Sequence, residues 1–144
     1  MFLDTQVNRL PFFWGISFVV LLADLLSKTL VSYLGQSMAL NQGISFGIEF
    51  RYLSIFLGIC LLGITVIMSW FVYSERDNVY LLFGKGLFLG GAFANVVDRF
   101  MSGGVRDWIP LPGVGVYNNL ADIAIFCGVV IWIYQSFIKT ETLS

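Results

Sequence analysis

The sequence predicts an all-α membrane protein of four transmembrane helices, with short strands lying on the outer face. Three observations predict it. Of the 144 residues, 58 % are hydrophobic and only 12 % are charged. The mean hydropathy of +0.84 lies well outside the usual mix of a water-soluble domain. The apolar residues also gather into four runs, at about 11–34, 52–73, 79–98 and 119–138, each near the ~20 residues a helix needs to cross the hydrocarbon core. The joining stretches are short, so residues 1–144 read as a single integral-membrane domain.

The first run fits a cleaved signal peptide poorly, because Asp4 and Arg9 precede it, it is long, and Asp24 and Lys28 lie inside it. It is expected to stay as the first span. An even number of spans leaves both termini on one side, and Arg9, Arg76 and Lys139 assign that side to the cytoplasm by the positive-inside rule. Arg51, Arg99 and Arg106 then fall on the opposite side and need another explanation.

The first linker, about 35–51, carries Asn41 and the alternating run Ile44-Ser45-Phe46-Gly47-Ile48-Glu49-Phe50, a pattern of short strands. Ser74 to Asn78 reads as a polar turn between antiparallel helices. The third linker, about 99–118, contains Pro110 and Pro112, which forbid one continuous helix, so a turn, a short extended piece and a returning loop are expected. In the third span Gly84, Gly86, Gly90, Gly91 and Ala92 form a small-residue surface that lets helix backbones approach closely in lipid.

Composition excludes several functions. A net charge of −1 without a basic cluster argues against a nucleic-acid partner. With no histidine in the chain there is no Ser-His-Asp or Cys-His catalysis and no credible zinc or haem constellation, so neither metal nor cofactor is expected. Cys60 and Cys127 read as small core hydrophobes.

The informative residues are ionisable groups in or beside the spans, where each costs a few kcal/mol unless it faces a partner or a water-filled site. Asp24 and Lys28, four apart, share a helix face with the spacing of an ion pair, either pinning the first helix or acting chemically. Asn95, Asp98 and Arg99 project from one face at the end of the third span, and Asn119 and Asp122 repeat the i, i+3 spacing near the start of the fourth. In the extended piece Val105 and Asp107 point one way, Arg106 and Trp108 the other. Asp107 thus faces inward, with Arg106 towards lipid headgroups or water. Three carboxylates, two amides and an arginine converge near one membrane face. Two carboxylates brought together cannot both ionise easily, so one keeps a proton while the other polarises water, which suffices for peptide hydrolysis without a metal. The residues alone leave open whether Asp98 or Asp107 partners Asp122.

In this order the motifs resemble the bacterial lipoprotein signal peptidases, signal peptidase II. The resemblance runs through Asp24-x-x-Ser27-Lys28, then Asn41-Gln42-Gly43-Ile44-Ser45-Phe46-Gly47, then Gly90-Gly91-Ala92-x-x-Asn95-x-x-Asp98-Arg99, then Val105-x-Asp107-Trp108, and finally Asn119-Leu120-Ala121-Asp122. It implies an aspartyl endopeptidase of a bacterial inner membrane, active at the outer leaflet, that removes the signal peptide before a cysteine carrying diacylglycerol. It implies Asp107 and Asp122 as the catalytic dyad. Asn41, Asn95, Arg99 and Asn119 would line the substrate groove or support the dyad, and Asp24, Lys28 and Asp98 would support the fold. It also implies a small extracytoplasmic β-sheet cradle, formed by the first linker and the piece around Asp107. Implied partners are lipid-modified prolipoproteins and membrane lipids, with the protein monomeric. Leu25, Ala94, Arg106 and Asn118 depart from the family pattern, as expected of a divergent paralogue. The alternative reading is a catalytically altered relative that binds signal peptides or transmembrane partners. A proton-linked transporter is disfavoured because the acids gather near one face instead of spanning the bilayer.

Overall fold

The computed structural model describes residues 8–42, 50–74, 78–113 and 115–141; Asp4, Arg76 and the alternating run at 44–49 lie outside them. Four long helices dominate: α1 (Arg9–Tyr33), α2 (Phe50–Ser74), α3 (Val79–Ser102) and α4 (Leu120–Glu141). All four are long and apolar enough to cross a membrane. Large apolar side chains such as Phe18, Leu26, Ile59, Trp70 and Phe126 stay exposed on their outer faces, the surface expected of a bundle solvated by lipid. The protein is a multi-pass membrane protein.

The third helix is the central one. Of its most apolar window 56 % is buried, against no more than 17 % in any other helix. It packs most extensively on α4 and α1, and its glycines explain how. A Cβ at Gly90 would meet Ser17 O of α1 at 2.5 Å, and one at Gly91 would meet Ala121 O of α4 at the same distance. Two adjacent residues without side chains thus let α3 touch a backbone on either flank. The α2 helix joins the core through Leu61, Met68 and Val72, against Phe13 of α1 and Leu82 and Leu89 of α3.

Both ends of α3 are capped. Asn78 accepts from the Leu81 N–H at 2.8 Å and donates to Gln135 Oε1 at 2.8 Å, tying the start of α3 to the end of α4. At the other end Gly103 takes a left-handed φ of +73°, and its N–H donates to Arg99 O. The helix therefore runs one turn beyond the expected boundary, with Arg99 in its last turn.

The expected small sheet is present as two antiparallel ribbons. Strand β1 (Ala39–Asn41) pairs with β2 (Val105–Asp107), with Ala39 opposite Asp107, Leu40 opposite Arg106 and Asn41 opposite Val105. Strand β3 (Ile109–Pro110) pairs with β4 (Tyr117–Asn118). Both ribbons sit at the end of the bundle where α3 finishes and α4 begins.

One expectation is corrected. Cys60 and Cys127 are exposed on the outside of the bundle and not in its core. In a bilayer the outer face is as apolar as the interior, so a small hydrophobe inside a span carries no signal of which way it points.

Candidate active site

The fourth helix begins at the site. Asn119, with no accessible surface, caps it: its side-chain oxygen accepts the Asp122 N–H at 2.8 Å. The amide nitrogen of the same side chain donates to Asp107 Oδ1 at 2.6 Å and to Asp122 Oδ2 at 3.1 Å. One nitrogen therefore touches both carboxylates, and the two oxygens are no farther apart than those two bonds laid end to end. The other oxygen of Asp122 accepts from Asn95 Nδ2 of α3 at 2.7 Å. The α3 and α4 residues thus meet across the helix interface through Asn95 and Asp122.

Asp107 comes to the site from a strand. Val105 and Asp107, on one face of β2, are each 2 % exposed, whereas Arg106 between them is partly exposed. The side chain of Asn41, on the neighbouring strand and diagonal to Asp107, also hydrogen-bonds it. Burial pushes the Asp107 carboxyl above the ordinary aspartate range, and the nearby Asp122 charge adds to the rise. The hydrogen bonds from Asn119 and Asn41 and the charge of Lys28 oppose it without reversing it. Asp122 is only half-buried.

Below this pair lies an ion network with no accessible surface at its centre. Lys28 Nζ is 2.6 Å from Asp24 Oδ2 and 3.2 Å from Asp98 Oδ2, and all three side chains are 0 % exposed. Asp24 Oδ1 accepts the Ala121 N–H of α4 at 2.9 Å. Asp98 Oδ2 accepts the Arg106 N–H at 2.7 Å, while its Oδ1 takes Arg106 Nε at 2.7 Å and Nη2 at 2.6 Å. Of the two acids that the sequence left open as neighbours of Asp122, Asp107 shares Asn119 with it and Asp98 is committed to this network.

Two residues differ from expectation. Arg106 reaches the surface only in part: its guanidinium folds back onto Asp98, because a carboxylate three residues past Asn95 on α3 lies directly beneath the strand. Lys85 was not singled out in the sequence, yet it is a buried cation on α3 with its Nζ 5.6 Å from the centre of the Trp132 ring. An ionisable residue in an apolar run was the signal that marked it.

Arg99 Nη1 donates to Asn95 O at 3.2 Å. Arg99 Nε and Asn95 Oδ1 are buried beside the carboxylates with no hydrogen-bond partner among the described residues. Among those residues no group of three or more His, Cys, Asp or Glu side chains is arranged to hold a metal. What the site does hold is two carboxylates, one with a raised affinity for its proton, and donors able to receive a substrate's polar atoms.

Fold and site together define a polytopic membrane protein with a carboxylate pair at one end of its bundle. The family model for signal peptidase (SPase) II matches residues 16–138. The lipoprotein signal peptidase of Nostoc punctiforme is 33 % identical over 154 aligned residues, covering 94 % of each chain. That of Syntrophomonas wolfei is 36 % identical over 132 residues, covering 81 % of this chain and 86 % of the relative. That of Moorella thermoacetica is 36 % identical over 95 residues, 66 % of this chain and 63 % of the relative. In fold, the chain is similar to a bacterial membrane enzyme solved by the in meso method at 2.3 Å, with a TM-score of 0.75, 20 % identity and coverage of 90 % and 89 %. The chain belongs to the signal peptidase II family, and it is an aspartic-type peptidase.

Proposed function

We propose that this protein removes the signal peptide from diacylglyceryl-modified prolipoproteins, cutting before the lipidated cysteine with Asp107, Asp122 and one water. The observation that carries this reading is the Asn119 amide, whose single nitrogen is bonded to both carboxylates. Burial favours the protonated form of Asp107, so this acid holds the shared proton and Asp122 is the base. Asp122 takes a proton from the water as its oxygen attacks the scissile carbonyl. Asp107 gives its proton to the carbonyl oxygen; as the C–N bond of the tetrahedral intermediate breaks, Asp122 passes the water's proton to the leaving amine and Asp107 takes back the hydroxyl proton. Arg99 Nε, which has no hydrogen-bond partner among the described residues, supplies a donor that polarises the scissile carbonyl, and Asn95 and Asn41 keep the acids aimed.

In this reading the protein is a monomer of a bacterial inner membrane, with both termini cytoplasmic and the carboxylates and ribbons at the outer leaflet. That depth suits a substrate whose cysteine is anchored there by its acyl chains. The test is cleavage of a diacylglyceryl-modified prolipoprotein by purified protein in detergent or lipid, with chelator present. Wild type is expected to cut, and Asp107→Asn and Asp122→Asn each to lose about 10²- to 10⁴-fold or more in rate while melting as folded proteins. Near-normal turnover by either variant overturns the dyad. Substrate binding without any cleavage by wild type marks a binding relative instead.

A further inference from the structure

We propose that Lys28 and Arg106 are positioning residues that set the spacing between the two carboxylates, an inference that rests on reading Asp107 and Asp122 as the dyad. The peptide N–H immediately before each of these acids is held by a buried carboxylate of one network. Ala121 N, before Asp122, donates to Asp24 Oδ1 at 2.9 Å. Arg106 N, before Asp107, donates to Asp98 Oδ2 at 2.7 Å. Asp24 and Asp98 belong to different helices, and Lys28 Nζ joins them. A continuous line of polar contacts therefore runs from the backbone under one acid to the backbone under the other, separate from the direct bridge through Asn119.

Charge balance gives the two cations their role. Asp24, Lys28, Asp98 and Arg106 form a neutral quartet in which only the Arg106 side chain, 21 % exposed, reaches the surface. Removing either cation leaves a buried anion uncompensated, and that anion must take up a proton or rotate. Either response loosens the N–H it holds. A buried ion network is a poor source of stability compared with apolar packing, but only a fixed anion can grip a particular peptide N–H and so dictate direction. The quartet grips two, one beneath each acid.

The experiment uses the full chain in detergent with a diacylglyceryl-modified prolipoprotein as substrate. Arg106→Leu and Lys28→Met are expected to lower kcat about a hundredfold, the scale of a small misplacement of reacting groups, with KM within about twofold of wild type. Arg106→Lys, which restores a cation, is expected to recover part of the loss. Wild-type kcat in Arg106→Leu, with only a lowered melting temperature, overturns the proposal. If Lys28→Met does not fold, Arg106→Leu decides alone, because its side chain is the partly exposed member. Asp107→Asn and Asp122→Asn in the same assay separate the two readings. If either turns over normally the dyad falls and the positioning role with it; if both are inactive while Arg106→Leu is normal, only the positioning role falls.

Discussion

Asn119 Nδ2 lies 2.6 Å from Asp107 Oδ1, although the first belongs to a helix cap and the second to a strand twelve residues earlier. The cap fixes the amide, because its oxygen is committed to the first turn of α4, so the nitrogen can only point where the two acids meet. A feature that begins a helix thereby sets the geometry of the site.

Separating those two jobs is a direct test. Asn119→Ser keeps an oxygen able to cap α4 but has no amide to offer the acids, whereas Asn119→Ala loses both. Thermal or denaturant unfolding is expected to leave the Ser variant near wild type and to cost the Ala variant about 1 kcal/mol. Both are expected to lose most cleavage activity. An active Asn119→Ala would show that the carboxylates find their geometry without the bridge.

The raised proton affinity of Asp107 predicts two pH dependences of the same sign. If this acid must donate a proton, kcat falls as pH rises through its elevated pKa. For stability, the folded protein binds the proton more tightly than the unfolded chain does. The contribution is therefore fully present below the ordinary aspartate value and is lost as pH rises through the elevated one. Melting temperatures measured across the acidic to neutral range should fall through that window in wild type and fall less in Asp107→Asn. Parallel curves for the two proteins would contradict the assignment.

Backbone contact along α3 makes a steric prediction. Gly91→Ala places a Cβ 2.5 Å from Ala121 O, against backbone that cannot rotate away, so α3 and α4 must separate beside the Asn95 to Asp122 bond. The expected cost is about 1–3 kcal/mol, with lower kcat. Gly15→Ala, with nothing within 4 Å of the new carbon, is the matched control and should melt and cleave like wild type.

Much of this arrangement was legible in the residues, for a physical reason. Charges in apolar spans need partners, so Asp24 with Lys28, Asn95 with Asp98 and Asn119 with Asp122 stood out by spacing and burial cost alone. Alternation in the extended piece correctly turned Asp107 inward, since a strand has only two faces. The partner of Arg106 was not legible: its guanidinium reaches Asp98 across a turn whose path depends on Gly103 and the pairing with β1. Local periodicity holds no information about such tertiary returns. The second ribbon was missed similarly, because two-residue strands, one of them ending in Pro110, on either side of the positive-φ Gly113 and Gly115 have no period to detect.

The β1–β2 pairing covers only three residues on each side. Sliding such a short ladder by a single position would exchange inward and outward faces, sending Asp107 out and presenting Arg106 to Asp122 in its place. A proton donor would be replaced by a fixed cation. The contacts that Arg106 makes to Asp98 through its backbone N–H, Nε and Nη2 hold the strand in the alignment that keeps Asp107 inward.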